Sequence, residues 1–179
     1  MPLASPLTID DFERLPDALA LNHELVDGEL VDVSGNTLIH NDLRDHLISL
    51  LREYVKKNGL GKVISEQEFD FGGNVYGPDI SFYGPPKMAF ADEKRRVQRF
   101  VPDLAIEIVS QNDTFARLAQ KARGYRKAGV SEVWVLDIES RQAFLYADER
   151  SAILYDDDLF ASNLIPGFSI RIGDLSDRR

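Results

Sequence analysis

The sequence predicts a mixed α/β fold of the α+β type, one mixed sheet flanked by helices. Three observations carry this. Strand-, helix- and strand-like segments follow one another between positions 103 and 138, a unit that closes as a right-handed crossover with parallel strands. Asp27-Gly28 joins two short apolar segments, a strong hairpin signal. The other strand-like segments are short and bounded by turn residues, which makes their pairing antiparallel.

Residues 10–17 read as a short helix ended before Pro16, since the residue preceding a proline is pushed out of the helical region. Segments 24–26 and 29–33 flank Asp27-Gly28. Asn36 or Thr37 caps a long amphipathic helix, in which Ile39, Leu43, Leu47, Leu50, Leu51, Tyr54 and Val55 recur at three- and four-residue spacing; Gly59 ends it. Residues 63–71 read as one strand, Gly72-Gly73-Asn74 as a turn and 76–83 as the returning strand. Gly84-Pro85-Pro86 opens an exposed loop that returns at Phe100. A strand over 103–110 leads to Asp113 or Thr114, either of which caps a helix terminated by Gly129. A β-branched and aromatic strand over 132–138 turns at Glu139-Ser140 into another over 142–146, and a last short strand lies near 168–171. No repeat or composition shift divides the chain. Residues 1–179 therefore read as one domain, with an N-terminal helix and hairpin (1–35), a core (36–138) and C-terminal strands (139–179).

The 179 residues include no cysteine, so disulfides and thiolate metal sites are excluded. No apolar run reaches the ~20 residues that span a bilayer. The first ten residues lack the basic and apolar regions of a signal peptide, and the expectation is a cytoplasmic protein with no membrane partner. A net charge of −9 argues against a passive nucleic-acid-binding surface but does not exclude an enzyme that gathers carboxylates around divalent cations. Positive charge is concentrated mid-chain: four basic residues over 94–99 and five over 117–127, with no acid in either run. Gly59-Leu60-Gly61-Lys62 lacks the second half of a phosphate loop, and no dinucleotide fingerprint, nucleophile elbow or HExxH spacing occurs.

One constellation suggests chemistry. Side chains alternate along a strand, so Asp103, Ala105, Glu107 and Val109 share a face, and Asp79 and Ser81 share one in the preceding strand. If those strands are neighbours, Asp79 and Glu107 converge. A buried carboxylate needs a partner, and two adjacent ones repel unless a cation intervenes. Mg²⁺ or Mn²⁺, which take oxygen ligands, would resolve the conflict. Arg117, Lys121 and Tyr125 form an i, i+4, i+8 stripe on the following helix, so Lys121 can reach the same face and either activate an attacking water or stabilise a phosphorane-like transition state. Asp103, at strand entry, reads as a capping or second-shell acid. His40 lies on the stripe of Leu43 and Leu47 and reads as packed, with a general base near Glu24 as the alternative. Gln67 or Glu68 is a candidate to point into the site, Tyr125 is expected to pack its ring on the sheet, and His40, Gln67 and Tyr125 are candidates to support the site acids from behind.

Several segments together resemble the Uma2 (DUF820) family within the PD-(D/E)XK nuclease superfamily. They are His23-Glu24-Leu25-Val26-Asp27-Gly28-Glu29, Pro78-Asp79-Ile80, Pro102-Asp103-Leu104-Ala105-Ile106-Glu107-Ile108-Val109-Ser110, Lys121 with Tyr125, Ala128-Gly129-Val130-Ser131-Glu132-Val133-Trp134 and Ile165-Pro166-Gly167-Phe168. The resemblance implies a restriction-endonuclease-like core of α-β-β-β-α-β order with Asp79 and Glu107 as metal ligands. Val109 stands where the superfamily's strand lysine usually lies, and the resemblance implies that Lys121 supplies the amine. Glu24 matches a family position and is either a further acidic ligand or a hairpin residue. The expectation is thus a Mg²⁺- or Mn²⁺-dependent endonuclease acting on DNA as a homodimer. Asp79, Glu107 and the Ile108 main-chain carbonyl would hold metal, and Arg117, Arg123, Lys94 and Arg95 would contact phosphates. The rival expectation is a catalytically silent nuclease-fold binding module; hydrolysis of a small phosphate ester is a third.

Overall fold

The computed structural model describes residues 6–33, 36–110, 113–148 and 151–176. The chain begins with α1 (Ile9–Glu13) and α2 (Asp17–Ala20). Thr8 and Asp11 form a reciprocal capping box, each side chain accepting the other's backbone N–H. The Pro16 carbonyl then accepts from Leu19 and Ala20, so the proline that stops the first helix also starts a second turn, which the sequence pattern did not predict. β1 (His23–Val26) and β2 (Glu29–Asp32) form the expected hairpin, with Asp27 and Gly28 at φ 51° and 82°. Two consecutive positive φ values are what a two-residue turn of this hand requires.

α3 (Leu38–Asn58) starts at Thr37, whose hydroxyl accepts the His40 N–H, and stops at Gly59 with φ 63°. Its inward face is His40, Leu43, Leu47, Ile48, Leu51 and Val55. Ile39 is exposed, because at the first turn the inward position falls to His40.

The predicted strand over 63–71 is two strands, β3 (Lys62–Ser65) and β4 (Phe69–Asp70). Glu66 between them adopts φ 52°, a left-handed value that turns the chain off its sheet. The returning segment is divided likewise into β5 (Val75–Tyr76) and β6 (Ile80–Tyr83), on either side of Gly77-Pro78. There follow α4 (Pro85–Met88), β7 (Leu104–Ile108) and α5 (Phe115–Ala128), the last capped by Thr114 and ended by Gly129 at φ 107°. β8 (Glu132–Asp137), β9 (Gln142–Ala147), β10 (Ser151–Tyr155), β11 (Leu159–Ala161), β12 (Ser169–Arg171) and α6 (Ile172–Ser176) complete the described chain. Neither β10, β11 nor α6 was expected from the sequence pattern.

The main sheet has the order β10-β9-β8-β7-β6-β3; β7 and β8 run parallel and every other pair antiparallel. This is the mixed sheet of the sequence expectation. A smaller sheet, β2-β1-β5-β4, takes the two hairpins, and β11 pairs with β12. α3 covers one face of the main sheet, packing Leu47, Leu51 and Val55 with Ile80, Phe82, Leu104, Ile106, Trp134 and Leu136. α5 covers the other, where Leu118, Ala122 and Tyr125 meet Ala105, Val133 and Val135. Each such fully buried side chain contributes roughly 1.5–3 kcal/mol. β7 is central and all five of its residues are buried, Glu107 among them, so a solvent-facing edge position for that acid is ruled out.

Candidate active site

The β6–β7 register pairs Phe82 with Leu104, Ser81 with Ala105 and Ile80 with Ile106; carried one residue further, it sets Asp79 opposite Glu107. The two carboxylates are thus brought to one end of the central strands by the alternation that the sequence displays. Asp79 Oδ2 accepts the Ile108 N–H at 2.7 Å and faces His40 Nε2 at 3.3 Å. Glu107 Oε1 accepts the Tyr125 hydroxyl at 2.6 Å. Lys121 Nζ lies 3.2 Å from that Glu107 oxygen and donates to Glu24 Oε1 at 2.8 Å. Glu24, on β1 of the smaller sheet, also accepts from the Gly77 N–H at 3.4 Å. The site therefore joins both sheets and both long helices.

Tyr125 reaches Glu107 because its ring is locked in place: it stacks on Phe71 at 4.4 Å between centroids and meets Tyr76 edge-on at 5.3 Å. Lys121 lies within 5.7 Å of the centroids of both Tyr76 and Tyr125, so its charge rests among aromatic rings as well as acids.

Three carboxylates share one ammonium, and this sets the electrostatics. Burial, against the favourable Lys121 charge, pushes the Glu107 carboxyl up to about 7, with Asp79 and Glu24 adding to the rise. Burial alone would lower Lys121, but Glu107, Glu24 and Asp79 together raise it well above the ordinary lysine value. The two shifts agree physically: the lysine gains from every acid, whereas each acid has only a share of the lysine. Lys121 is consequently a fixed cation rather than a proton acceptor. Burial opposes charge on His40, yet the hydrogen bond and charge of Asp79, aided by the Ile108 backbone, raise its pKa. His40 Nδ1 is buried with no hydrogen-bond partner among the described residues.

These groups open onto a cavity of about 740 Å³, whose wall includes His40, Arg44, Asp79, Glu107, Ile108 and Arg117. Glu24 and Lys121 line it too. Of the other sequence candidates, Asp103 lies at the far end of the Glu107 strand, roughly 13 Å along it at 3.3 Å per residue. There it pairs with Lys87 at 2.7 Å and accepts the Gly84 N–H at 2.8 Å, so it closes a loop and is not a second-shell acid. Gln67 turns outward to the Arg96 carbonyl at 2.6 Å, leaving Glu66 and Glu68 on the cavity wall. Lys94, Arg95 and Arg123 are exposed and do not line the cavity. Arg95, Arg96 and Arg99 are taken up by Glu13, Glu68 and Asp10, pinning the 94–99 loop to α1 and to the β4 segment. His40, read from its stripe as packed, is packed and also bonded to Asp79. Arg44, one turn after it, is a cavity residue the sequence reading passed over.

Among the described residues no group of three or more histidine or acidic side chains forms a ready metal cage. Mg²⁺ does not need one: it is usually held through one or two carboxylates and keeps several waters. Asp79 and Glu107 supply hard oxygen donors of that kind, and the raised Glu107 carboxyl is short of positive charge. The donor set fits a hard divalent cation.

A mixed sheet between two helices, with paired acids at the ends of its central strands, defines the restriction-endonuclease-like class of folds. Residues 9–173 match the model of the Uma2 family, described as "Putative restriction endonuclease", and the chain belongs to that family. A crystal structure from Anabaena variabilis, described as a "putative nuclease belonging to DUF820", superposes with a TM-score of 0.84 at 21% identity, covering 96% of this chain and 98% of that one. A DrdV–DNA complex superposes at a TM-score of only 0.43, with 18% identity over 75% of this chain and 10% of that one. No curated protein matches. No helix among the described residues is long and apolar enough to cross a membrane.

Proposed function

We propose that this protein is a metal-dependent endonuclease that hydrolyses DNA phosphodiester bonds in the Asp79–Glu107 cavity. The observation that carries the reading is the cluster itself: paired carboxylates on central strands, outnumbering the one ammonium beside them, in a chain of a nuclease family. Asp79 and Glu107 would hold Mg²⁺ or Mn²⁺ together with the Ile108 main chain, and the ion would supply positive charge to the phosphate and lower the pKa of a bound water. Lys121, held protonated, would stabilise negative charge developing on the phosphoryl oxygens rather than take a proton. Tyr125 and Lys121 would fix Glu107, and the Ile108 N–H and His40 would fix Asp79. Arg117 at the cavity wall would contact a backbone phosphate. Cleavage of both strands of a duplex calls for two such sites, which a homodimer would supply.

Supercoiled plasmid incubated with Mn²⁺ should be nicked or linearised by the wild type and left intact by Asp79→Ala and Glu107→Ala. Nicking that persists in Glu107→Ala would sink the reading. A silent binding module is the second reading, favoured by the net charge of −9. It predicts a binding or regulatory role with no cleavage in either metal.

A further inference from the structure

We propose that Arg44 is a second phosphate-binding residue of the cavity, held in reserve by an exchangeable ion pair with Glu66. The proposal rests on the nuclease reading and adds to it how the substrate backbone is gripped. Arg44 follows His40 by four residues on α3, just over one helical turn or about 6 Å along the axis. Its charge is close enough to oppose protonation of His40. On the opposite wall Arg117 precedes Lys121 by four residues on α5. The two helices thus repeat one arrangement: a residue bonded to a site carboxylate, and an arginine one turn away lining the same cavity. A nucleic-acid strand crossing the Asp79–Glu107 pair would meet a guanidinium on each side of the reacting phosphate.

The way Arg44 is held separates it from a structural arginine. Its side chain is 14% exposed, yet its partners are peripheral: Glu66, 56% exposed, through one terminal nitrogen, and Asp45, 73% exposed, at 3.5 Å from Nε. The buried Nε–H has no hydrogen-bond partner among the described residues. Arg96 shows the alternative. It grips Glu68 with two nitrogens at 2.6 and 2.7 Å, donates to the Ala20 carbonyl at 3.0 Å and covers the Phe12 ring at 4.7 Å. An ion pair to a half-exposed acid such as Glu66 is readily exchanged, while a guanidinium binds phosphate through paired donors. The cavity wall carries seven carboxylates against three lysines and arginines, so a guanidinium free to leave Glu66 is scarce there.

The test is binding of a short fluorescein-labelled DNA duplex, read by anisotropy in Mg²⁺ buffer, to chains silenced by Asp79→Asn. Adding Arg44→Gln should weaken binding about tenfold, the equivalent of one charge-assisted hydrogen-bonded contact, and reduce the salt slope by about 1. Arg44→Lys should restore part of the affinity. Glu66→Gln should tighten binding about twofold to fivefold, and this gain should vanish when Arg44→Gln is also present. Mn²⁺ affinity of otherwise wild-type Arg44→Gln should not fall, which separates phosphate binding from a disturbed metal site. Binding unaffected by Arg44→Gln, or a Glu66→Gln gain that survives without Arg44, overturns the proposal and leaves the nuclease reading standing. No binding by the silenced chain at any salt concentration overturns both. Thermal melting of each variant, matched to its parent, excludes loss by unfolding.

Discussion

Asp103 and Glu107 belong to one stretch of extended chain, point to the same side, and each has a lysine beside it: Lys87 at 2.7 Å and Lys121 at 3.2 Å. What surrounds each pair differs. Asp103 is 21% exposed and Lys87 25%; one acid meets one base, and a backbone N–H completes the shell. The Glu107 side chain is 8% exposed and shares its lysine with Glu24 while Asp79 stands opposite. At one end of the strand the charges balance and the pair fastens a loop. At the other, acids exceed bases in a buried place, and the carboxyl rises to about 7. A lysine–carboxylate pair therefore says little by itself, and an uncompensated surplus of buried acid is what distinguishes the site.

The comparison breaks most visibly at the lysines. Lys121→Met strands buried acids and should cost about 3–5 kcal/mol in urea unfolding. Lys87→Met removes one partner of a pair about a quarter exposed, together with its bond to the Val101 carbonyl, and should cost less, about 1–2 kcal/mol. If both cost the same, the two ends are equivalent and the distinction fails. Next in size, Glu107→Gln should slow plasmid cleavage by at least ~100-fold, whereas Asp103→Asn should leave the rate at the wild-type level and lower only the melting temperature.

The pH dependence sharpens the contrast. Between the ordinary value of 4.5 and about 7, folded Glu107 keeps a proton that the unfolded chain has released. Stability of the metal-free protein should therefore decline as pH rises through that window and level off above it. Urea midpoints measured across the range should show this decline in the wild type and lose it in Glu107→Gln; an unchanged slope in the variant would assign the effect to another group. A smaller effect on this pH dependence is expected from Tyr125→Phe. It removes one hydrogen bond to a charged group, worth about 1.5 kcal/mol, and should carry the same decline to higher pH because the hydroxyl favours the ionised carboxylate.

The faces of the acids were legible because alternation has a period of two, which put Asp79 and Glu107 where neighbouring strands would bring them together; that the strands are neighbours, and in which register, comes from the fold. Lys121 and Tyr125 were legible as a helical stripe. Glu66 was not, since a left-handed conformation at a glutamate leaves no trace in composition, and one strand was therefore predicted where the chain changes sheets. Nor could sequence show that α1 would neutralise the basic run over 94–99, because Glu13 and Arg99 are distant in the chain and meet only when Phe12 and Val97 enter the same cluster. His40 and Arg44 sit on an unremarkable amphipathic helix. The approach of His40 to Asp79, and the place of Arg44 on the cavity wall, depend on how α3 lies across the end of β6, a tertiary relation with no local signature. Glu24 lies in a different sheet and was visible only through family resemblance.

Both groups that grip Glu107 ride on α5, a single rod seated on the sheet by Leu118 and Ala122 and fastened at its ends by Thr114 and Gly129. The ammonium and the phenol are consequently ganged, one turn apart on the same shaft. They cannot be withdrawn separately by any movement of the backbone: shifting the shaft frees the acid from both at once, and seating it restores both together.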